Sequence, residues 1–220
     1  MILFFLVPGC WLGVPAGGSM LAQGSGAAAR GDLPAASRII LGVTLGRTNL
    51  AEVQARLGRS IAWSEGDASA AEEVICYATP EPHPTVIVFG SNSEMAGPPD
   101  NEVTDIRVVK GQAYAQRTRC APLPQRNIGT PSGLALGISR EVVRAILGKP
   151  LQPGLSKWRY SWSTDMLLPR TDKNYGYWLS RKEECFEGKQ PFFTTTSEVE
   201  VLFDRDGVAE LDFRRIESIC

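Results

Sequence analysis

Two short stretches of the chain, residues 45–59 and 136–150, share one order of apolar, polar and glycine positions. In each stretch apolar side chains recur at the spacing of one helix face, and a glycine follows the last of them. The pattern predicts two short helices and an internal repeat. The matching positions are the N-cap candidates Asn49 and Ser139, the stripes Leu50, Val53, Leu57 and Val142, Val143, Ile146, Leu147, and the terminal glycines Gly58 and Gly148.

Apolar or alternating segments follow each predicted helix and predict strands. They are 74–77, 85–89 and 103–109 after the first helix, and 157–162, 198–203 and 208–214 after the second. The last two flank Asp204-Arg205-Asp206-Gly207, which is typical of a hairpin turn. Because helices of two to three turns are marginal alone, each is expected to pack on its own strands. The predicted fold class is α+β, with two tandem modules, each a short helix packed on a small antiparallel β-meander.

The pattern also predicts the domain boundaries. The first α+β module spans 38–120 and begins with a strand at 38–43, and a Pro-rich linker follows at 121–132. The second module spans 133–220. It carries an insertion at about 165–196 that the first module lacks.

Residues 1–29 precede the first charged side chain, Arg30, and combine an apolar run with a stretch rich in small residues. This order is typical of a secretory signal peptide, and the apolar run is too short to span a bilayer. A second interpretation makes Cys10 a lipidated N-terminus, because Val7-Pro8-Gly9-Cys10 loosely resembles a lipobox. We favour the cleaved signal and expect a periplasmic or secreted protein, with an outer-membrane lipoprotein anchored at Cys10 as the alternative.

Removal of the signal leaves four cysteines, Cys76, Cys120, Cys185 and Cys220. An even count in an exported chain favours two disulfides, although three pairings are compatible with the count. The wide spacing is unlike the close cysteine pairs of a zinc site. Because each pair would bracket the strands of one module, we predict the disulfides Cys76–Cys120 and Cys185–Cys220.

The composition argues against several classes of function. The formal net charge is −1 and no run of Lys and Arg forms a basic patch, so we expect no nucleic-acid partner. The single histidine, His83, lies between prolines and away from a nucleophile motif, and no glycine-rich phosphate loop follows a strand. We therefore predict a protein that is not an enzyme and that has no catalytic residues, cofactor or metal.

Aromatic residues are the candidates for partner binding. Trp158, Tyr160 and Trp162 alternate along one predicted strand and share a face, which we expect to be buried at the first two positions. The insertion adds further rings that no repeated core position requires, and exposed Trp and Tyr often dominate binding interfaces. These rings could instead cover the second core. The candidate partner-binding residues are Trp162, Tyr175, Tyr177 and Trp178.

The second copy also carries a recognisable sequence motif. Gly137, Ser139, Val143, Leu147-Gly148 and Pro150 precede an aromatic strand with Trp158 and Tyr160, and the Phe203-Asp204-x-x-Gly207-Val208 hairpin follows. This order resembles the SmpA/OmlA (BamE-like) module, and two such modules in tandem are similar to the arrangement of β-lactamase inhibitor proteins. The first copy fits loosely, since Ser60 replaces the proline. The resemblance implies a protein-binding envelope factor, and it transfers no contact residue.

Together these patterns predict an exported, non-enzymatic protein-binding or envelope-assembly factor with a protein partner in the cell envelope and no membrane span. One alternative is a secreted inhibitor of a hydrolase. A further alternative, an enzyme with an unrecognised site, ranks last.

Overall fold

The computed structural model describes residues 29–65, 72–91, 101–114, 117–125 and 127–219. Most of the predicted export segment, with Cys10, and the terminal Cys220 lie outside these residues. The strands are β1 Ala29–Arg30, β2 Ile39–Ile40, β3 Val43–Thr44, β4 Trp63–Glu65, β5 Glu72–Ala78, β6 Thr85–Ser91, β7 Asp105–Lys110, β8 Ala121–Pro122, β9 Gln152–Pro153, β10 Lys157–Leu167, β11 Phe192–Asp204 and β12 Gly207–Ser218. The helices are α1 Leu50–Leu57, α2 Arg140–Leu147, α3 Tyr175–Ser180 and α4 Lys182–Cys185, with 3₁₀ turns at Ala35–Ser37, Gly111–Ala113 and Arg117–Arg119.

One large sheet dominates the described part of the chain. Its strand order is β1-β10-β11-β12-β7-β6-β5-β4, with β8 beside β5 and β9 beside β10. The long strands are all antiparallel, and only the short β1 and β8 pair in parallel. The predicted α+β class is confirmed in this form, a mainly antiparallel sheet with few helices. The strands that were assigned to two small meanders are joined into a single sheet by pairing between β7 and β12.

Helices α1 and α2 begin and end as their sequences predict. The Asn49 side chain accepts a hydrogen bond from the Glu52 N–H (2.8 Å), and the Glu52 carboxylate accepts one from the Asn49 N–H (3.0 Å), which completes a capping box. Ser139 is the N-cap of α2, although its side chain bonds no backbone N–H there. Gly58 and Gly148 follow the helices with φ of 98° and 81°, a region that favours glycine.

The same backbone contacts support both helices. The Gly46 N–H donates to the Val103 carbonyl, and the Gly137 N–H donates to the Val208 carbonyl, each at 2.8 Å. The same two valines also donate hydrogen bonds to the chain ahead of each helix. The Val103 N–H donates to the Thr48 carbonyl (2.8 Å), and the Val208 N–H donates to the Ile138 carbonyl (3.0 Å). The residues ahead of α1 are therefore tied to the chain just before β7, and those ahead of α2 are tied to the start of β12.

The main core lies between the helices and one face of the sheet. Val53 and Val143 are fully buried, Leu147 is buried, and Leu57 is partly buried against the same cluster. Val142 is 43% exposed, so its assignment to the apolar stripe was wrong. Successive residues of a helix are 100° apart around its axis. Val142 is therefore turned 100° away from the buried Val143 and lies outside the arc that faces the core.

A second apolar cluster lies on the opposite face of β5, β6 and β7. It contains Val74, Cys76, Val86, Val88 and Val109, and the segment after β7 packs against it through Tyr114 and Cys120. Cys76 and Cys120 form a disulfide with Cα atoms 4.7 Å apart, which confirms the predicted pair. The disulfide holds this cover on the sheet.

Two local predictions differ from the structure. The strand expected at 38–43 is interrupted by a turn at Leu41 and Gly42, both with positive φ, so that β2 and β3 form a separate two-stranded sheet. The insertion is not wholly a loop, because β10 and β11 extend into it and α3 and α4 lie between them.

Candidate partner-binding site

The insertion buries apolar side chains of its own. Leu168 and Phe186 are buried, and the Phe186 ring meets Phe192 edge to face at 5.1 Å between centroids. The Leu168 N–H donates to the Pro191 carbonyl and closes the base of the insertion (2.8 Å). The insertion is thus held at its base without using the residues of α3.

Cys185, the last residue of α4, is disulfide-bonded. The predicted partner, Cys220, lies outside the described residues, so the Cys185–Cys220 pairing stays a prediction.

Helix α3 has no buried residue. Tyr177 is 55% exposed and Leu179 is 41% exposed, and both are large apolar side chains open to solvent. The Tyr177 hydroxyl accepts a hydrogen bond from Arg181 Nη1 (3.0 Å), and the guanidinium carbon lies 5.8 Å from the centre of the Tyr177 ring. Glu184 in turn accepts from Arg181 Nε and Nη2 at 3.0 and 2.8 Å. These hydrogen bonds, first that of Glu184 and then that of Tyr177, raise the pKa of Arg181.

The other predicted site residues occupy two different settings. Trp178 is half-buried with its ring 4.9 Å from that of Tyr177, and Tyr175 is half-buried at the start of the same helix. Trp162 instead packs against the main core and stacks on Tyr160, with ring centres 6.0 Å apart and planes 9° apart. The structure therefore joins Tyr177 and Trp178 in one pair and places Trp162 in another.

Sequence reasoning missed further exposed apolar residues near the insertion. Met166 and Leu167, at the end of β10, are 51% and 66% exposed. Consecutive strand residues point to opposite faces, so two adjacent large apolar residues at a strand end place at least one outside a one-sided core. That break in the alternation was the available signal.

The sheet face opposite the helices is charged in its second half. Arg159 donates to Glu198 (2.5 Å) and Lys157 pairs with Glu200 (2.6 Å), each a diagonal neighbour on the adjacent strand. Because each positive side chain here is paired with a negative one, these residues do not form a patch of one sign.

Where β7 meets β12, one arginine serves two buried carboxyl groups. Arg214 Nε lies 3.2 Å from Asp105 Oδ2, and Arg214 Nη2 lies 2.7 Å from Asp212 Oδ2. Burial, followed by the charges of Asp212 and Glu72, raises the pKa of Asp105 well above its usual range. The absence of a side chain at Gly90 leaves room for the Glu72 carboxylate. A Cβ at this position would lie 3.0 Å from Glu72 Oε2.

A cleft of about 280 Å³ lies between the start of β6 and residues 127–136. Its lining consists of Thr85, Asn127, Ile128, Gly129, Thr130, Gly133, Ala135 and Leu136, none of which ionises near neutral pH. The lining therefore supplies no side chain for general acid or base chemistry.

Among the residues that the structure describes, no group of three or more His, Cys, Asp or Glu side chains is placed to hold a metal ion. The described helices include none with the length and apolarity needed to cross a membrane.

Comparison with known proteins adds no relative. No family model, no curated protein and no solved structure matches the chain significantly.

Proposed function

We propose that this chain is an exported, non-enzymatic protein-binding factor of the cell envelope, and that its partner contacts α3 in the insertion. The observation that carries the proposal is Tyr177, an exposed ring with its hydroxyl and its face both held by Arg181. A fixed aromatic residue beside an arginine contributes binding energy with little loss of side-chain entropy.

The packing of the insertion supports this role for α3. Leu168 and Phe186 already bury the apolar surface at the base of the insertion, whereas Tyr177 and Leu179 remain open. Exposed apolar side chains that add nothing to a core have a cost in solubility, and exposed apolar surface is a common feature of interaction sites. A bound partner would remove these apolar side chains from water.

We also propose that the two halves are copies of one module, as the SmpA/OmlA-like motif suggests. The paired contacts of Gly46 with Val103 and Gly137 with Val208 support this view. So does the register between β7 and β12. If Val208 corresponds to Val103, then Asp212 corresponds to Arg107, and these two residues are direct partners at the centre of five symmetric pairs. A twofold relation between two copies produces that register.

The Cys76–Cys120 disulfide favours an oxidising compartment, in agreement with the export segment predicted at 1–29. We accordingly propose a periplasmic or secreted location. A lipid at Cys10 would place the protein on the outer membrane.

The test is a comparison of binding with stability. We expect Tyr177→Ala with Leu179→Ala to abolish capture of the envelope partner, while the melting temperature changes by no more than about 2 °C because both side chains are exposed. Ile61→Ala, at a residue 68% exposed in the other half, is the matched control and should leave capture intact.

Mass spectrometry of the captured protein then separates the two classes of partner. An envelope-assembly component supports the proposal, and a secreted hydrolase would make the chain an inhibitor. Unchanged capture by the double variant, or a fall in melting temperature of many degrees, would show that α3 does not form the site.

A further inference from the structure

One edge of the large sheet is open over a short length. Strands β9 and β1 both pair with the outer edge of β10, at Trp158 and Arg159 and at Trp162 and Ser163. The last residues of β10, Asp165–Leu167, extend beyond β1. Unpaired strand edges are templates for pairing with another chain.

The hydrogen bonds already present define which backbone groups point outward. The carbonyls of Lys157, Arg159 and Ser163 accept bonds from Gly154, Leu151 and Gly31 on the outer side (2.9, 2.8 and 3.1 Å). Since successive residues of a strand alternate in direction, the N–H and C=O groups of Asp165 and Leu167 also point outward. In the described part of the chain these four groups have no backbone partner.

The side chains at this edge do little to prevent pairing. Met166 and Leu167 are exposed and apolar, whereas edge strands are usually protected by lysine, proline or a bulge. The one charge, Asp165, accepts a hydrogen bond from the Thr194 hydroxyl at 2.7 Å on the inner side. The open length therefore presents two exposed apolar side chains and neither a lysine nor a proline.

Two neighbouring segments lie away from it. After Gly31 the chain leaves β10, since Asp32 pairs with Arg38 (2.5 Å) and accepts a bond from Ser197 (3.2 Å). Strand β12 pairs with the other side of β11, where Ser218 lies opposite Thr194. It is therefore separated from the open edge of β10 by β11.

We propose that this edge pairs with the same edge of a second copy of the chain, antiparallel about a twofold axis at Met166. That register places Asp165 of each copy opposite Leu167 of the other copy. All four residues then use their outward N–H and C=O groups, which gives four backbone hydrogen bonds. The two Met166 side chains meet at the axis on one face of the sheet, and the Leu167 side chains lie on the other face. The open length is self-complementary, and this makes a second copy the fitting occupant.

The pairing buries little surface, so the dimer should be weak, with a dissociation constant in the micromolar range or above. Directly opposite residues of a non-hydrogen-bonded pair have Cα atoms about 4.5 Å apart, a separation that a disulfide spans. Met166→Cys should therefore form a covalent dimer under mild oxidation. Leu155→Cys, at a residue 93% exposed elsewhere, is the matched control and should stay monomeric.

Leu167→Pro supplies an independent test. Proline at this position removes an outward N–H and no bond of the sheet, so the fold should persist. Sedimentation equilibrium of the wild-type chain should show a dimer that grows with concentration, and Leu167→Pro should weaken it by at least tenfold. A wild-type chain that is monomeric throughout, or a Met166→Cys chain that cross-links no faster than Leu155→Cys, would overturn the proposal. The edge would then be left to a strand of a different protein or of residues 1–28.

Discussion

Two buried tyrosines occupy matching positions and differ in one hydrogen bond. Tyr77 lies opposite Ile87 in β5 and β6, and Tyr160 lies opposite Val199 in β10 and β11. Burial raises the pKa of both to about 12. The Tyr77 hydroxyl donates to the Gly58 carbonyl at 2.7 Å, which ties the end of α1 to the sheet. The Tyr160 hydroxyl is buried and has no hydrogen-bond partner among the described residues.

This difference predicts opposite effects of one substitution. Tyr77→Phe removes a made hydrogen bond and leaves the Gly58 carbonyl unpaired, so it should lower the free energy of unfolding by about 1 kcal/mol. Tyr160→Phe removes an unsatisfied hydroxyl and should be neutral or slightly stabilising. Urea unfolding of both variants measures the difference. Equal losses at the two positions would show that Tyr160 has a bond partner in solution.

At the scale of the elements, the helices depend on a few side chains that face the sheet. Leu147 is buried, so Leu147→Ala should lower the free energy of unfolding by about 2–5 kcal/mol. Leu57 is only partly buried, and Leu57→Ala should cost less. Val142→Ala, on the exposed side of α2, should change stability by no more than about 0.5 kcal/mol. Thermal unfolding of the three variants would contradict this ranking if Val142→Ala cost as much as Leu147→Ala.

At this scale the sequence predicted features that depend on interactions between nearby residues. Capping residues, terminal glycines and the hairpin at Asp204–Gly207 act through neighbouring backbone groups, so sequence spacing identifies them. The pairing of β7 with β12 depends on backbone bonds between residues about 100 positions apart, which have no side-chain signature. The short strands β4, β8 and β9 were missed because two or three residues are too few to show an alternating pattern.

The candidate site was predicted only in part. The insertion was identified because it interrupts the repeat, yet the exposure of Tyr177 and the partial burial of Trp162 depend on packing that a list of aromatic residues does not contain.

At the scale of the whole molecule, the join between the two halves contains the Asp105, Asp212 and Arg214 cluster. Glu72 and Arg107 also face Asp105, and burial with the nearby negative charges raises its pKa. The unfolded chain releases that proton near pH 4, so above this pH the folded chain binds more protons. Stability contributed at Asp105 is therefore lost as pH rises from about 4 through the raised pKa.

Asp105→Asn removes this titration while its amide can still donate to Asp212. We expect the variant to be more stable than the wild type at pH 8, with a smaller difference in free energy of unfolding between pH 5 and pH 8. Asp206→Asn, at an exposed turn residue with a side chain 85% accessible, is the control and should retain the wild-type slope. A variant less stable than the wild type at both pH values would show that Asp105 is ionised in the fold.

The Cys76–Cys120 disulfide acts on the first half of the molecule, where it closes a separation of 44 residues. Chain entropy predicts that it contributes about 4 kcal/mol. Replacement of both cysteines by serine should lower the unfolding free energy by an amount of this order, as urea unfolding without reductant would measure. No change on replacement would mean that the cover over β5 and β6 is held by packing alone.

The central claim is that α3 contacts a protein partner in the envelope, and site-specific photo-crosslinking in living cells tests it most directly. A photoreactive amino acid is placed at position 177 in one variant and at position 61 in another, both of which are exposed in the structure. The account predicts a single discrete adduct from position 177, identified by mass spectrometry as an envelope protein, and none from position 61. No adduct at 177, or the same adducts from both positions, would contradict it.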